Sequence, residues 1–382
     1  MKVYLVGGAV RDALLGLSVT ERDWVVVGAD PAAMLERGFL AADATFPVFL
    51  HPETGEEYAL ARREVKRGEG YRGFSVYAGP EVTLEQDLQR RDLTVNAIAQ
   101  DTQGVLTDPF DGRGDLARGL LRHVSPAFVE DPVRVLRVAR FAAKLGRYGF
   151  RVAHGTHRLM CAMVERGDML QLTPERLWRE MMKAMQADQP WRFFEVLQRC
   201  GALQVLIPAV AGAMGAASAR GNAADSPPIA ALRRIVPASE APSLRLAAVL
   251  LGCIDAPEET DRLLASIRAD RETAQLLRRL VAGRGLCDRA GQGDVDALFE
   301  LAALWRAFES GTDIGPLVAV CEAQMPGSRL GHCLQVALPA ARAVTAADLR
   351  RQGLSGAALG RAVGAARREA MSAALGDAGL LT

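Results

Sequence analysis

The sequence predicts an α/β head followed by an all-α remainder. Up to about residue 125, short apolar runs alternate with turns and short helical segments, whereas helical periodicity dominates from Asp131 onward. At the start, an apolar strand runs into Gly7-Gly8 and a short helix follows, giving a strand–turn–helix unit. The 382 residues suffice for two or more domains and a sizeable core. With 46 basic and 45 acidic residues the net charge is +1, so any basic surface must be local. Lys2 precedes only a short apolar run and no stretch approaches membrane-spanning length, so neither a secretory leader nor a span is expected. Cys161, Cys200, Cys253, Cys287, Cys321 and Cys333 form no CxxC pair. The pattern excludes the usual zinc and redox motifs and predicts reduced thiols in a cytoplasmic protein.

In chain order, residues 3–6, 24–27, 48–50, 58–61 and 105–107 read as strands, and 31–37 and 84–89 as helices. The segments 132–145, 174–187 and 191–200 carry helical patterns; Thr173-Pro174 supplies a cap and a first-turn proline for the second. Residues 209–228 are rich in Ala, Gly and Ser and end in Pro227-Pro228, which predicts a linker or surface loop. Helices are expected again over 244–251, 258–268, 271–281 and 295–308, with a helical Ala- and Arg-rich tail from 346. Gly68 to Gly73 matches GxGxxG but does not sit between a strand and a helix, so a dinucleotide fingerprint is not expected. Residues 64–79 read instead as a mobile loop. That loop would bring Arg62, Arg63, Lys66, Arg67 and Arg72 near the carboxylates described next.

Glu21 and Asp23 stand two residues apart at the start of the second strand, where period-2 geometry aims both side chains one way. The Gly7-Gly8 turn leaves backbone N–H groups open to phosphate oxygens, with a helix start behind them. Magnesium takes oxygen ligands, commonly one or two carboxylates plus phosphates, and a third carboxylate could come from Glu56 or Glu57. The unit is suited to transferring a nucleotide from a triphosphate; the bland reading of Glu21-x-Asp23 alone is a solvated strand end. Arg90-Arg91-Asp92 with Asn96 offers guanidinium forks for phosphates and an amide for a ribose hydroxyl. A charge cluster at a helix end, with Asp92 as a cap, is the alternative. Asp108 to Leu116 reads as a turn and a capped helix. Asp131 and Arg134 lie three apart beside Pro132. They are either a cap with an intrahelical ion pair or a reader of bases. Cytosine and adenine each offer an amino donor beside a ring-nitrogen acceptor, matching a carboxylate and an arginine; uracil and guanine present the opposite polarity.

These motifs, in this order, resemble the class II tRNA nucleotidyltransferases, the CCA-adding enzymes, most closely their proteobacterial form. The runs YLVGGAVRDALLG, DWVVVG, FPVFLHPETGEEYALAR, VTLEQDLQRRDLTVNAIAQD, LLRHVSPAFVEDPVRVLRVARFAAKLG and LTPERLWRE carry the likeness. It is dense from residue 1 to about 208 and fades beyond. It implies a polymerase-beta-like head over 1–125, a helical neck with the nucleotide-selecting motif over 126–208, and a helical body and tail over 209–382. It implies that CTP and ATP are added to tRNA as C, C and A with release of pyrophosphate, in the cytoplasm. Glu21 and Asp23 would hold Mg2+ as the catalytic pair. Gly7, Gly8 and Arg11 would bind triphosphate, and Arg90, Arg91, Asp92 and Asn96 would contact phosphates and ribose. Asp131, Arg134 and Arg137 would select the base, with Arg140 beside them at the nucleotide. Arg350, Arg351, Arg361, Arg367 and Arg368 are candidates for gripping tRNA; a solvated helix face is the plainer reading of each.

Two departures stand out. The family's metal pair is Asp-x-Asp, whereas this chain has Glu21-x-Asp23, one methylene longer. Close relatives carry a His-Asp phosphohydrolase site, yet this chain has no His-Asp dipeptide. Its histidines are His51, His123, His154, His157 and His332, and the segment Gly252 to Asp255 lacks the ligands. No phosphohydrolase activity is therefore expected. A poly(A) polymerase of the same superfamily, a CC- or A-adding specialist, and a non-catalytic RNA-binding protein are the alternatives.

Overall fold

The computed structural model describes residues 1–42, 47–66, 74–218, 226–254, 256–309, 311–351 and 353–381. The chain divides into two units, Met1–Leu206 and Ile207–Thr382. Among the described residues no helix is long and apolar enough to cross a membrane.

The first unit begins with β1 (Lys2–Val6), α1 (Gly8–Leu14), β2 (Asp23–Val27), α2 (Pro31–Glu36), β3 (Leu40–Ala41), β4 (Val48–Leu50) and β5 (Glu57–Leu60). Next come β6 (Arg62–Lys66), β7 (Phe74–Ala78), α3 (Leu84–Gln89), β8 (Ala99–Asp101), β9 (Leu106–Thr107), α4 (Gly112–Arg118) and β10 (Leu120–Leu121). It closes with α5 (Val133–Leu145), β11 (Arg151–Val152), α6 (His154–Glu165), α7 (Pro174–Met185), α8 (Trp191–Arg199) and α9 (Ala202–Leu206). The main sheet is mixed, in the order β3-β4-β5-β2-β1-β8-β9. β2 runs antiparallel to β1 and parallel to β5.

Alternation along the strands separates two apolar layers. Val25 joins Val6, Ala61, Val82, Leu88 and Ala97 on one face. Val26 joins Ala29, Met34, Phe49 and Leu60 on the other. Register then decides what gathers at one end of the sheet. Val6 pairs with Asp23 and with Ala99, and Asp23 pairs with Glu57. The Gly7-Gly8 turn, the start of β2, the start of β5 and the loop entering β8 therefore meet there.

The head and the neck expected over 126–208 fall in one unit. The reason is covalent proximity reinforced by charge: α5 sends Arg134, Arg137 and Lys144 into the head, where they bond the Arg90 carbonyl, Asp92 and Asp12. The loop expected over 64–79 is instead a hairpin of β6 and β7, with Arg63 paired to Tyr77 and Arg62 to Ala78. Glycines 68, 70 and 73 disguise a period-2 alternation of Phe74, Val76 and Ala78 in the sequence. Arg67, Arg72 and the GxGxxG run lie outside the described residues.

The second unit is helical: α10 (Pro208–Ser218), α11 (Pro227–Ile235), α12 (Pro242–Leu251), α13 (Pro257–Ser266), α14 (Arg271–Gly291), α15 (Val295–Leu304), α16 (Gly315–Gln324), α17 (Leu330–Ala343), α18 (Ala346–Arg350) and α19 (Gly356–Asp377). Among the described residues of the predicted linker over 209–228, 209–218 and 227–228 are helical. Alanine favours helix regardless of how low in complexity the run is, and Pro227 opens α11 rather than breaking it. Helix α14 continues ten residues past its expected end at 281, through Gly283. A Cβ at Gly283 would lie 2.8 Å from Leu301 and 3.1 Å from the indole of the buried Trp305. There glycine serves close helix packing, not termination.

Candidate active site

The site is built from the sheet end upward. Gly7 has φ +71°, a conformation that glycine adopts without strain. A Cβ there would stand 3.1 Å from the Arg91 guanidinium and 3.9 Å from an Asp23 carboxylate oxygen. The carboxylate and the guanidinium thus face each other across bare backbone. Burial raises the Asp23 carboxyl above its usual value; Arg91 opposes this, Glu21 adds to it, and Arg137 opposes it. Asp23 keeps solvent on one side, so the burial is that of a recess and not of a core. Glu21 acts on the Asp23 charge from the segment ahead of β2, which begins only at Asp23, so strand alternation does not govern the pair.

Of the two candidates for a third carboxylate, Glu56 is engaged elsewhere. It accepts from Trp24 Nε1 at 3.0 Å and lies 3.6 Å from Arg22. Glu57 is the one in register with Asp23. Among the described residues no three acidic, histidine or cysteine side chains form a ready metal cage. Two oxygen-bearing carboxylates with open space suit a hard divalent cation that draws its other ligands from phosphates and water.

Arg91 comes from the end of α3, which a Thr83–Gln86 capping box starts. Arg91 and Arg90 share the buried Asp87: Arg90 donates at 2.8 and 3.0 Å and Arg91 at 3.2 Å. Burial would raise the Asp87 carboxyl, but the two arginines and the Arg62 amide hold it below its usual value. Arg90 thus braces Asp87 through two guanidinium contacts. Arg91 differs, since its buried Nε has no hydrogen-bond partner among the described residues.

Behind these groups runs one chain of hydrogen bonds. Lys144 donates to Asp12 at 3.0 Å, and Arg11 donates to Asp12 at 2.8 Å and to Asn96 at 2.6 Å. Asn96 donates to Asp92 at 3.1 Å, and Arg137 donates to Asp92 at 2.6 Å. Arg11 and Asn96 are 2% and 5% exposed, so the expected contacts of Arg11 with triphosphate and of Asn96 with ribose are not presented to solvent. Burial would push Asp92 up, but the Arg137 charge, hydrogen bonds from Asn96 and Arg137, and the Arg140 charge hold it at about 2. Asp92 bonds its neighbour's amide, Leu93 N, and does not cap a helix. Arg11, Arg137 and Arg140 also lie over Phe141, at 5.1, 5.7 and 4.3 Å from its ring centre.

The Asp131–Arg134 pair is not an intrahelical ion pair. Asp131 has extended backbone ahead of α5, so the helical i, i+3 relation does not apply. Its carboxylate accepts from Val133 N at 3.0 Å and from Arg176 at 2.7 Å. Arg134 is 7% exposed and donates to the carbonyls of Ala127 and Arg90 at 3.0 and 2.8 Å. Arg140 donates to Glu180 at 2.6 Å. The Leu172–Glu180 motif, read from sequence as a helix start alone, therefore supplies the partners of two site residues through Arg176 and Glu180. Their shared helical face, four apart on α7, is the signal that could have revealed them.

The Asp108–Leu116 motif braces the site from below. Asp108 accepts from the first amides of α4, Gly112 N at 2.7 Å and Arg113 N at 2.9 Å. Gly112 sits against the Thr94 carbonyl. Asp115, 1% exposed, accepts from Thr94 Oγ1 at 2.8 Å and from Arg118 and Arg122. The loop carrying Asp92 and Asn96 is thereby fixed.

Comparison with known proteins agrees with this geometry. Residues 3–122 match the family described as the poly A polymerase head domain. Residues 149–214 match the probable RNA and SrmB-binding site of polymerase A. An apo form of a CCA-adding enzyme superposes with a TM-score of 0.73 at 23% identity, over 97% of this chain and 88% of that one. The Thermotoga maritima CCA-adding enzyme complexed with tRNA gives 0.68 at 22%, over 99% and 91%. A CCA-adding enzyme complexed with ATP gives 0.69 at 21%, over 97% and 86%. Residues 3–122 thus match a poly A polymerase head domain, and the chain has the fold of the CCA-adding enzymes.

Proposed function

We propose that this chain adds C, C and A to the 3′ end of tRNA, using CTP and ATP without a nucleic-acid template, in the cytoplasm. The observation that carries the reading is Asp23 set opposite Arg91 across the bare backbone of Gly7. The Glu21 charge acts on Asp23, and Glu57 is in register with it. Glu21 and Asp23 would hold Mg2+, which supplies Lewis-acid polarisation of the phosphates when bound. Arg91 and the Gly7-Gly8 backbone hold the triphosphate oxygens, the hydrogen-bonded Arg11–Asn96–Asp92–Arg137 chain keeps that floor rigid, and the tRNA 3′ hydroxyl attacks the α-phosphorus as pyrophosphate leaves. Asp131 selects the base by exchanging Arg176 for the amino group of cytosine or adenine. Arg134 leaves the Ala127 carbonyl and donates to the ring nitrogen.

In a single-turnover assay with tRNA ending before its CCA, Asp23→Ala abolishes CMP incorporation. Full retention would remove Asp23 from the chemistry. The head-domain family takes its description from poly A polymerases, so a run of A residues is the second reading. The product of CTP and ATP together separates the two.

A further inference from the structure

The first unit also holds a basic recess of about 600 Å³, to which no role has been assigned above. Arg122, Arg151, Arg192 and Arg199 line it together with His154 and His157, and no carboxylate is among its lining residues. Each element delivers its part by simple periodicity. On α8, residues 192, 196 and 199 fall on one helical face, so both arginines of that helix point the same way. On α6, His154 and His157 are one turn apart. Arg151 is carried by β11, which pairs with β10 just ahead of Arg122.

Two of the four arginines are anchored. Arg122 donates to Asp115 at 2.9 Å, and Arg192 donates to the Gly146 carbonyl at 3.2 Å. The side chains of Arg151 and Arg199 are exposed and make no ion pair or hydrogen bond among the described residues. The first turn of α6 has no side-chain cap and no acidic residue, and a Cβ at Gly155 would meet nothing within 4 Å. Its backbone is therefore open to a ligand approaching the recess. No aromatic ring besides the imidazoles lines the recess, so it offers no platform on which a base could stack. Arginine forks without a stacking surface suit phosphate oxygens rather than bases. Most of the lining lies within residues 149–214, the stretch matching a probable RNA-binding site.

We infer that this recess seats the sugar–phosphate backbone of the RNA substrate, anchoring it without reading its sequence. The inference rests on the proposed action on tRNA. The test is tRNA binding by the full chain across a salt series, for Arg151→Glu, Arg199→Glu, the double variant and the corresponding Lys variants. Each reversal should weaken binding about tenfold near 0.1 M salt and lower the salt-dependence slope by about one, while the Lys variants retain affinity. The KM for CTP at saturating tRNA should not change. Wild-type protein that extends tRNA while the double variant binds it equally well would overturn the recess assignment alone. Wild-type protein that does not bind tRNA would overturn both readings. Titration with inorganic phosphate forms the second arm. If the variants lose phosphate binding yet keep tRNA affinity and slope, the recess holds a free anion and the RNA assignment fails.

Discussion

At the scale of single residues, the site divides into groups that face solvent and groups that hold them. Asp92 belongs to the second kind. Its carboxyl has an ordinary value of 3.8 and is held at about 2 in the fold. A depressed folded value favours the native state above the unfolded value, by about 2 kcal/mol here. That contribution is lost as pH falls through about 2. Asp92→Asn should therefore lower stability by about 2 kcal/mol near pH 7, with the gap narrowing below about pH 4, as read from urea unfolding. Glu21 belongs to the first kind. Glu21→Asp should match or raise the rate of CMP incorporation, since a shorter side chain restores the spacing of the related Asp-x-Asp pair; a large loss would mean that the extra methylene is required. Residue types in sequence pointed to Asp23 and Arg91, because alternation and a glycine turn are local signals. They could not reveal that Asn96 is taken up by Arg11 and Asp92, or that Arg134 rests on the Ala127 and Arg90 carbonyls. Partners 44 and 85 residues away in sequence fix those roles.

At the scale of elements, the strands and capped helices nearest the carboxylates follow from sequence. The misread ones share a cause: small residues serving packing look like residues serving turns. The hairpin of β6 and β7, the helix α10 and the long α14 all carry or adjoin glycine or alanine runs. Gly112 at the start of α4 shows the same use of glycine at the site. A Cβ there would collide with the Thr94 carbonyl and press 2.8 Å from Ile98. The Thr94 carbonyl belongs to backbone that cannot swing aside, so Gly112→Ala should destabilise the protein by about 1–3 kcal/mol in urea unfolding. It should also raise the KM for CTP, because Asn96 lies two residues beyond Thr94. An unchanged KM would show that α4 does not brace the nucleotide site.

At the scale of the whole molecule, each of the two units has its own buried core. The second shows how arginine composition misleads when read alone. Arg368 pairs with Asp296 at 3.0 Å and lies 3.9 Å over the Phe299 ring, and Arg367 lies 4.6 Å over Phe308. Two of the arginines expected to grip RNA thus fasten α19 within its own unit. Periodicity could not show this, since a helix face that meets another helix and one that meets RNA read alike until the neighbour is known. The fold and the gathering of Gly7, Asp23 and Arg91 at one end of the sheet were legible because their signals lie within a few residues of each other. The central claim is a choice of product, and sequencing the 3′ ends of a tRNA lacking CCA tests it most directly, after incubation with CTP alone, ATP alone and both together. The account predicts two C residues with CTP alone and a single terminal CCA with both. A run of A residues, or no extension under any condition, would contradict it.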